Sequence, residues 1–418
     1  MLLYPLILGL GCFIVICLRR GFKLNDLNKM MVKGSTTALI VIKIFLLIGA
    51  ITAVWRACGT VSFIVYYGIA FMSAQYFILF AFLLCCLVSF LLGTSFGTVG
   101  TIGIVLIVLA KTGSVDVNVA AGAIIAGAYF GDRCSPMSSS AALVAALTGT
   151  ELYTNIKNMM KSSVIPMALS ILGYACLSHW NPLIFHDSQI GSEILQSFDI
   201  GIVTLLPALV ILLAAAFRVD VKVSMGISIF AGILIGVFVQ HKSVLAMLQY
   251  ILTGYTMDTA GFFAGVIQGG GLYSMLNVGL IVLVSSAYSG IFEGTGLLRE
   301  LERYFESLSQ KIGVYLTTIM TSTAVAAFSC NQTLAVILSY QFEHKIYEKR
   351  QFGKYRLALD LENTVIMISA LIPWNIAGAF PAAALSADTG FIMYAFYLFL
   401  VPLTNIFFRK KENIDRQD

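Results

Sequence analysis

Residues 117–148 read VNVAAGAIIAGAYFGDRCSPMSSSAALVAALT, and the fold turns on this stretch. An apolar run of small residues enters it, the polar segment GDRCSPMSSS (131–140) interrupts, and a second apolar run follows. A helix that crosses a bilayer alone needs roughly 20 apolar residues, and neither run supplies them. Pro136 cannot donate to the i→i−4 ladder and so frees a backbone carbonyl. The pattern predicts a helix broken at membrane depth, which is tolerated only where it is packed in protein or lines a watery cavity.

The composition agrees. Of 418 residues, 59% are hydrophobic and only 11% are charged, against about 25% charged in a soluble domain. A soluble globular protein is excluded, and the length gives an all-α polytopic membrane protein of about 11 transmembrane helices forming one domain, 1–418. The formal charge of +5 is too small and too confined to short loops for nucleic acid, and it fits the basic rim of a membrane protein. The cysteines form no CxxC pair and fall mostly in apolar runs, and the four histidines show no HExxH spacing, so neither disulfide nor zinc chemistry is expected.

The first apolar stretch lacks a basic n-region and a small-residue cleavage site, and reads as an uncleaved span. RRGFKLNDLNKMMVK (19–33) follows it with Arg19, Arg20, Lys23, Lys29 and Lys33 against the single Asp26, which places this loop in the cytoplasm and the N-terminus outside. A second basic loop (Lys345, Lys349, Arg350, Lys354, Arg356) and the basic start of the C-terminal tail are also expected in the cytoplasm of a multi-pass cell-membrane protein.

Further apolar runs are interrupted at GTSFGTVGTIG (93–103), SCNQT (329–333) and IPWNIAGAF (372–380). The breaks fall in two pairs, consistent with two inverted repeats, roughly 36–180 and 225–408, whose broken or re-entrant helices meet at the midplane. The same Gly and Ser residues would also serve close helix packing in any polytopic protein.

An ionisable group inside a span costs several kcal/mol and marks function by default. Most carboxylates, Glu343 among them, fall in polar loops or at span ends and read as solvated; Asp116, Asp258, Asp360 and Asp388 lie near span boundaries. Asp132, Glu151, Glu293 and Glu362 remain, and Asp132 and Glu362 each flank a break. Asp132, a freed carbonyl and the hydroxyls of Ser135, Ser138, Ser139 and Ser140 supply hard oxygen donors of the kind that hold Na⁺ or a proton. Asn331, Gln332, Trp374 and Asn375 sit in the second pair of breaks, where they either touch substrate or cap helices. Lys111 reads as a cation that snorkels to the interface. Lys43 and Arg56 are some 20 Å apart along one helix at about 1.5 Å per residue, so at least one lies deep. Arg133 either neutralises Asp132 as a structural pair or, like Arg56 and Lys43, acts as a counter-charge or the anchor of an anionic substrate group.

WRACGTVSFIVYYG (55–68), GTSFGTVGTIG (93–103), GDRCSPMSSSAALVAALTGTELYTNIKNM (131–159), GGGLYSM (269–275), GIFEGTGLL (290–298) and LDLENTVIMISALIPWNIAGAF (359–380) together resemble the NhaC family of Na⁺/H⁺ antiporters. The resemblance spans most of the chain and implies two inverted repeats with broken helices. It also shows departures: the family's SPLSDTTN has its acid at Ser139 and its Asn at Ala142 here, its DQ is Asn331-Gln332, and its LED is Leu361-Glu362-Asn363. Arg56 stands where a neutral residue is more usual.

The resemblance implies exchange of Na⁺ for H⁺ by alternating access, with Asp132 (aided by Ser135) holding Na⁺ and H⁺ in competition and Glu362 as a second protonatable group. The alternative on the same fold is an ion-coupled carrier of a small organic acid or amino acid, with Arg56 or Arg133 as carboxylate anchor. No cofactor is expected beyond the transported Na⁺ and H⁺; the bilayer is the obligatory partner, and a homo-oligomer is compatible with the reading. An enzyme is not expected: FGD (130–132) lacks the glycine of an intramembrane aspartyl protease and SAYSG (286–290) the first glycine of a rhomboid motif.

Overall fold

The computed structural model describes residues 3–71, 74–183, 190–217, 219, 221–257, 267–295 and 299–408. The architecture is all-α, with a single isolated bridge between Tyr255 and Gly269 as the β-pairing among the described residues.

The helix Leu152–Trp180 shows which solvent the chain is built for. Its buried residues are Asn155, Met159, Ser163, Pro166, Ser170, Tyr174 and Ser178, a mostly small and polar stripe at helical spacing. Val164, Leu169, Leu172 and Trp180 point outward. In water that stripe would face the wrong way; in lipid, small and hydroxylated residues are what lets helices approach and bond.

Several spans are bent or broken. Among the described residues, Ser95–Thr112, Leu152–Trp180 and Leu272–Phe292 are long and apolar enough to cross a bilayer unaided. The 34-residue helix Leu24–Ala57 bends by 64° at Cys58–Gly59 into Thr60–Tyr67, and Gly191–Ser197 bends by 94° into Ile202–Ile211. Shorter apolar helices of 10–17 residues make up much of the rest, with Ser139–Thr148 and Val244–Thr253 too short to cross alone.

The helix Val117–Cys134 lies at the centre, packed most extensively against Phe77–Leu92. Gly127 and Gly131, four apart, put two bare turns against that neighbour. A Cβ on Gly131 would sit 2.0 Å from the Ser89 carbonyl carbon and 2.3 Å from the Phe90 nitrogen. Those atoms are backbone and cannot rotate away, so Gly131→Ala is expected to push the two helices apart at a cost of about 3 kcal/mol. A lowered unfolding temperature of the purified protein, with loss of exchange, is the readout; a variant as stable as wild type contradicts the close packing.

Candidate functional site

Pro136 is four residues beyond Asp132, so the carbonyl it leaves without a helical donor is that of Asp132 itself. Steric conflict with the ring drives Ser135 to extended geometry (φ −83°, ψ 138°), which ends the helix. The carbonyl is not left open for an ion: the hydroxyl of Ser138 donates to it, and that of Ser140 donates from 2.9 Å. Ser138 also N-caps the next helix, Ser139–Thr148, by accepting from the Ala141 amide. Ser135 is turned away, donating to the Phe90 carbonyl at 2.6 Å and accepting from the Met137 amide. Ser139 is exposed and takes no part. The serines of this motif thus shape the break, and the Asp132 side chain is what it presents.

The other breaks close around that carboxylate. Gly93, in the left-handed region at φ 68°, ends the helix Phe77–Leu92 and lies so close to Met137 that a Cβ would meet its carbonyl carbon at 2.5 Å. This sets Ser95 and Ser140 beside Asp132. The following Val99–Gly103 is a π-helical turn, a local irregularity frequent at functional sites. From the second half, Cys330 at φ 54° turns the chain, Asn331 caps the helix Gln332–Lys349 through the Thr333 amide, and Gln332 donates to Asp132 Oδ2 at 3.2 Å. Asn375 caps Ile376–Ala384 and clamps the Ala326 carbonyl at 2.8 Å, while Trp374 donates to the Ala327 carbonyl at 2.8 Å. Asn331, Trp374 and Asn375 therefore hold the breaks together, whereas Gln332 reaches the acid.

Glu362 lies next to this centre, 1% exposed, and neither carboxylate oxygen has a hydrogen-bond partner among the described residues. The charged groups that act on it are Arg133 and Asp132. A buried carboxylate in this state must bind a proton or a cation, because an uncompensated charge there costs several kcal/mol.

Arg133 adjoins Asp132 in sequence but faces the other way. Its guanidinium donates to Ser162 at 2.7 Å, to Ser163 at 2.5 Å, to Tyr397 at 3.2 Å and to Asn363 Oδ1, and it is fully buried. It makes no ion pair with Asp132, and both terminal nitrogens, which a carboxylate would need, are committed to protein oxygens; only the buried Nε has no partner among the described residues. Lys43 is exposed and supplies no buried counter-charge; the deep cation of the pair is Arg56, in a separate cavity with Lys111.

Two acids read as solvated or as boundary residues are fully buried. Glu343 and Asp360 are both 0% exposed. Glu343 accepts from Thr318 at 3.0 Å, Thr318 meets the Tyr347 hydroxyl at 3.1 Å, and Tyr347 donates to Asp360 at 2.5 Å. The signal was present as periodicity: Ser339, Glu343 and Tyr347 recur every four residues, facing Thr317, Thr318, Thr321 and Ser322 of Val314–Ser329. Charge density near the basic loop obscured it. Glu151, by contrast, is an exposed N-cap that accepts from the Thr154 amide, and the side chains of Glu293 and Asp258 lie outside the described residues.

Residues 127–409 match the model of the Na⁺/H⁺ antiporter family, a segment that contains the breaks at 131–140, 329–333 and 372–380. Over 393 residues the chain is 29% identical to the Na⁺/H⁺ antiporter NhaC of Alkalihalophilus pseudofirmus, covering 92% of this chain and 84% of that protein. It is 30% identical over 411 residues to NhaC of Bacillus subtilis, covering 96% and 90%, and 26% identical over 378 residues to the malate-2H⁺/Na⁺-lactate antiporter of the same organism, covering 89% and 81%. With two buried acids at a junction of broken membrane helices, and similarity running over nearly its whole length, this chain belongs to the Na⁺/H⁺ antiporter family.

Proposed function

We propose that the protein exchanges cytoplasmic Na⁺ for external H⁺ across the cell membrane by alternating access, with Asp132 and Glu362 as its working pair. The observation that carries this reading is the contrast between the two acids: Asp132 is held by Gln332, while Glu362 is buried with both oxygens unpartnered. In the proton-loaded state the carboxyls are neutral and need no counter-ion. Na⁺ entry from the cytoplasmic side replaces the proton on Asp132, forming an oxygen–sodium contact as the O–H bond breaks and the proton leaves to water. The oxygens suited to complete its shell are those of the Gln332 amide and the Ser140 hydroxyl. Glu362 gives up its own proton to water in the same cycle, as the second protonatable group. Arg133, which hydrogen-bonds Asn363, fixes the helix end that carries Glu362.

The breaks make the cycle conformational. Half-helices 139–148 and 332–349 begin at Asp132 and 376–384 begins at the Cys330 turn beside them, so tilting them moves the opening without unfolding a span. The halves 36–180 and 225–408 are proposed as the inverted repeats that rock against each other, with the 345–356 loop cytoplasmic.

Purified protein in liposomes acidified inside provides the test. A pulse of external Na⁺ is expected to drive proton efflux, read by a trapped pH dye, with no organic solute present. Because Na⁺ and H⁺ compete, the apparent Na⁺ affinity rises with pH up to the point where the site is unprotonated. No Na⁺-driven proton flux across the pH range would overturn the proposal.

A further inference from the structure

On the opposite side of the acids from the 350–353 loop lies a second chamber that the ion exchange does not use. Two helical stretches lead to it from the site. Ser95–Thr112 runs from the Asp132 end to Lys111, sixteen residues or about 24 Å on. Ile376–Ala384 runs from its Asn375 cap to Ala383 and Ala384 at the chamber wall, about 14 Å away. The chamber has a volume of about 500 Å³ and is lined by Arg56, Lys111, Thr52, Ser274 and Ser386, with the glycines 269 and 270.

Among the described residues its charge is one-sided: no acidic side chain lines it, and neither Arg56 nor Lys111 has an ion-pair partner. Arg56 is 9% exposed and donates through Nη1 alone to the carbonyls of Ile267 and Gln268, leaving Nε buried without a partner. The loop is shaped to this side chain: Gly269 has φ 117°, and a Cβ there would sit 2.8 Å from Arg56 Nη1. Gly270, at φ 78°, presses on Thr52 and Ala53 so closely that a Cβ would meet the Thr52 hydroxyl at 2.5 Å. The glycine run thereby packs the loop onto the helix that carries Arg56, whose side chain lines the chamber.

Two cations facing one cavity without a counter-ion are costly unless an anion joins them. The guanidinium fork matches a planar carboxylate, a lysine ammonium supplies a second point charge, and the volume is that of a small-molecule pocket rather than a halide site. We infer that Arg56 and Lys111 bind a small organic anion carrying two carboxylates, with the hydroxyls of Thr52, Ser274 and Ser386 as neutral contacts. The site is separate from the Asp132 and Glu362 pair, so its occupancy does not depend on which ion that pair carries.

Succinate titrated calorimetrically into the purified full-length protein is the test, with chloride at equal concentration as the comparison. Wild type is expected to bind succinate, with Arg56→Gln and Lys111→Gln each weakening it about tenfold or more. Asp132→Asn is expected to bind as wild type does, which separates this site from the exchange mechanism. Arg56→Lys, keeping the charge but losing the fork, is expected to fall between wild type and Arg56→Gln; Lys111→Gln, at a half-buried position, gives a second reading if Arg56→Gln fails to fold. Absence of succinate binding to wild type, unchanged binding in Lys111→Gln, or an equal response to chloride would each overturn the assignment.

Discussion

Asp132→Asn is expected to abolish Na⁺-driven proton movement while leaving a folded protein. The amide keeps the shape of the carboxyl and can still meet Gln332, so the junction of breaks survives. What disappears is the charge. A Na⁺ ion entering the site would then have lost its closest anionic ligand, and leaving a buried charge uncompensated costs about 3 kcal/mol or more, roughly a hundredfold in affinity. The variant also cannot release a proton on binding Na⁺, so residual Na⁺ entry would no longer be coupled. Isotopic sodium uptake and the pH dye, recorded on the same vesicles, separate these losses. Wild-type exchange in Asp132→Asn would rule out this carboxylate as the ion carrier.

Glu362→Gln is expected to be as damaging to exchange but for a different reason. Both Glu362 oxygens lack hydrogen-bond partners, so the group contributes nothing to packing that an amide must replace. Its substitution removes one exchangeable proton and a negative neighbour of Arg133. If Glu362 cycles its proton with each turnover, exchange falls to background while equilibrium Na⁺ binding at Asp132 persists within a few-fold. The pH dependence of that binding flattens as well, because fewer protons are linked to it: affinity still rises with pH, but less steeply. An unchanged slope together with wild-type exchange would remove Glu362 from the mechanism. Measuring binding and transport in parallel is what distinguishes a proton carrier from a residue that merely shapes the helix end.

The two buried acids outside this pair show where sequence reading fell short. Glu343 lies six residues before Lys349, in a stretch where charge is dense, and a linear count of charges reads it as solvated. Burial there depends on a hydroxylated face of another helix, 314–329, reaching it across the bundle, and no local pattern encodes that neighbour. Arg133 shows the converse. Adjacent to Asp132 in sequence, it invites an ion pair, yet consecutive helical residues diverge by about 100° and the two side chains meet different helices. Hydroxyls beside a proline break suit ion ligation, as the serines of 135–140 suggest, but the carbonyl freed by Pro136 claims those of Ser138 and Ser140 first.

By itself the sequence determined the solvent, the helical class, the breaks at 93–103, 131–140, 329–333 and 372–380, and the two acids that flank them. Each follows from local terms: apolar run length, proline chemistry, and the cost of a charge in hydrocarbon. The bends at 58–59 and 198–201 came from the structure. Only the tertiary structure decided which polar groups meet. It joined Gln332 to Asp132 across 200 residues, set Arg133 on Ser163, Tyr397 and Asn363, and left Arg56 facing a cavity with Lys111. The physical reason is that a hydrogen bond acts over about 3 Å, so partner choice depends on how helices cross, and the crossing is set by bare glycine faces and bent half-helices packed throughout the bundle.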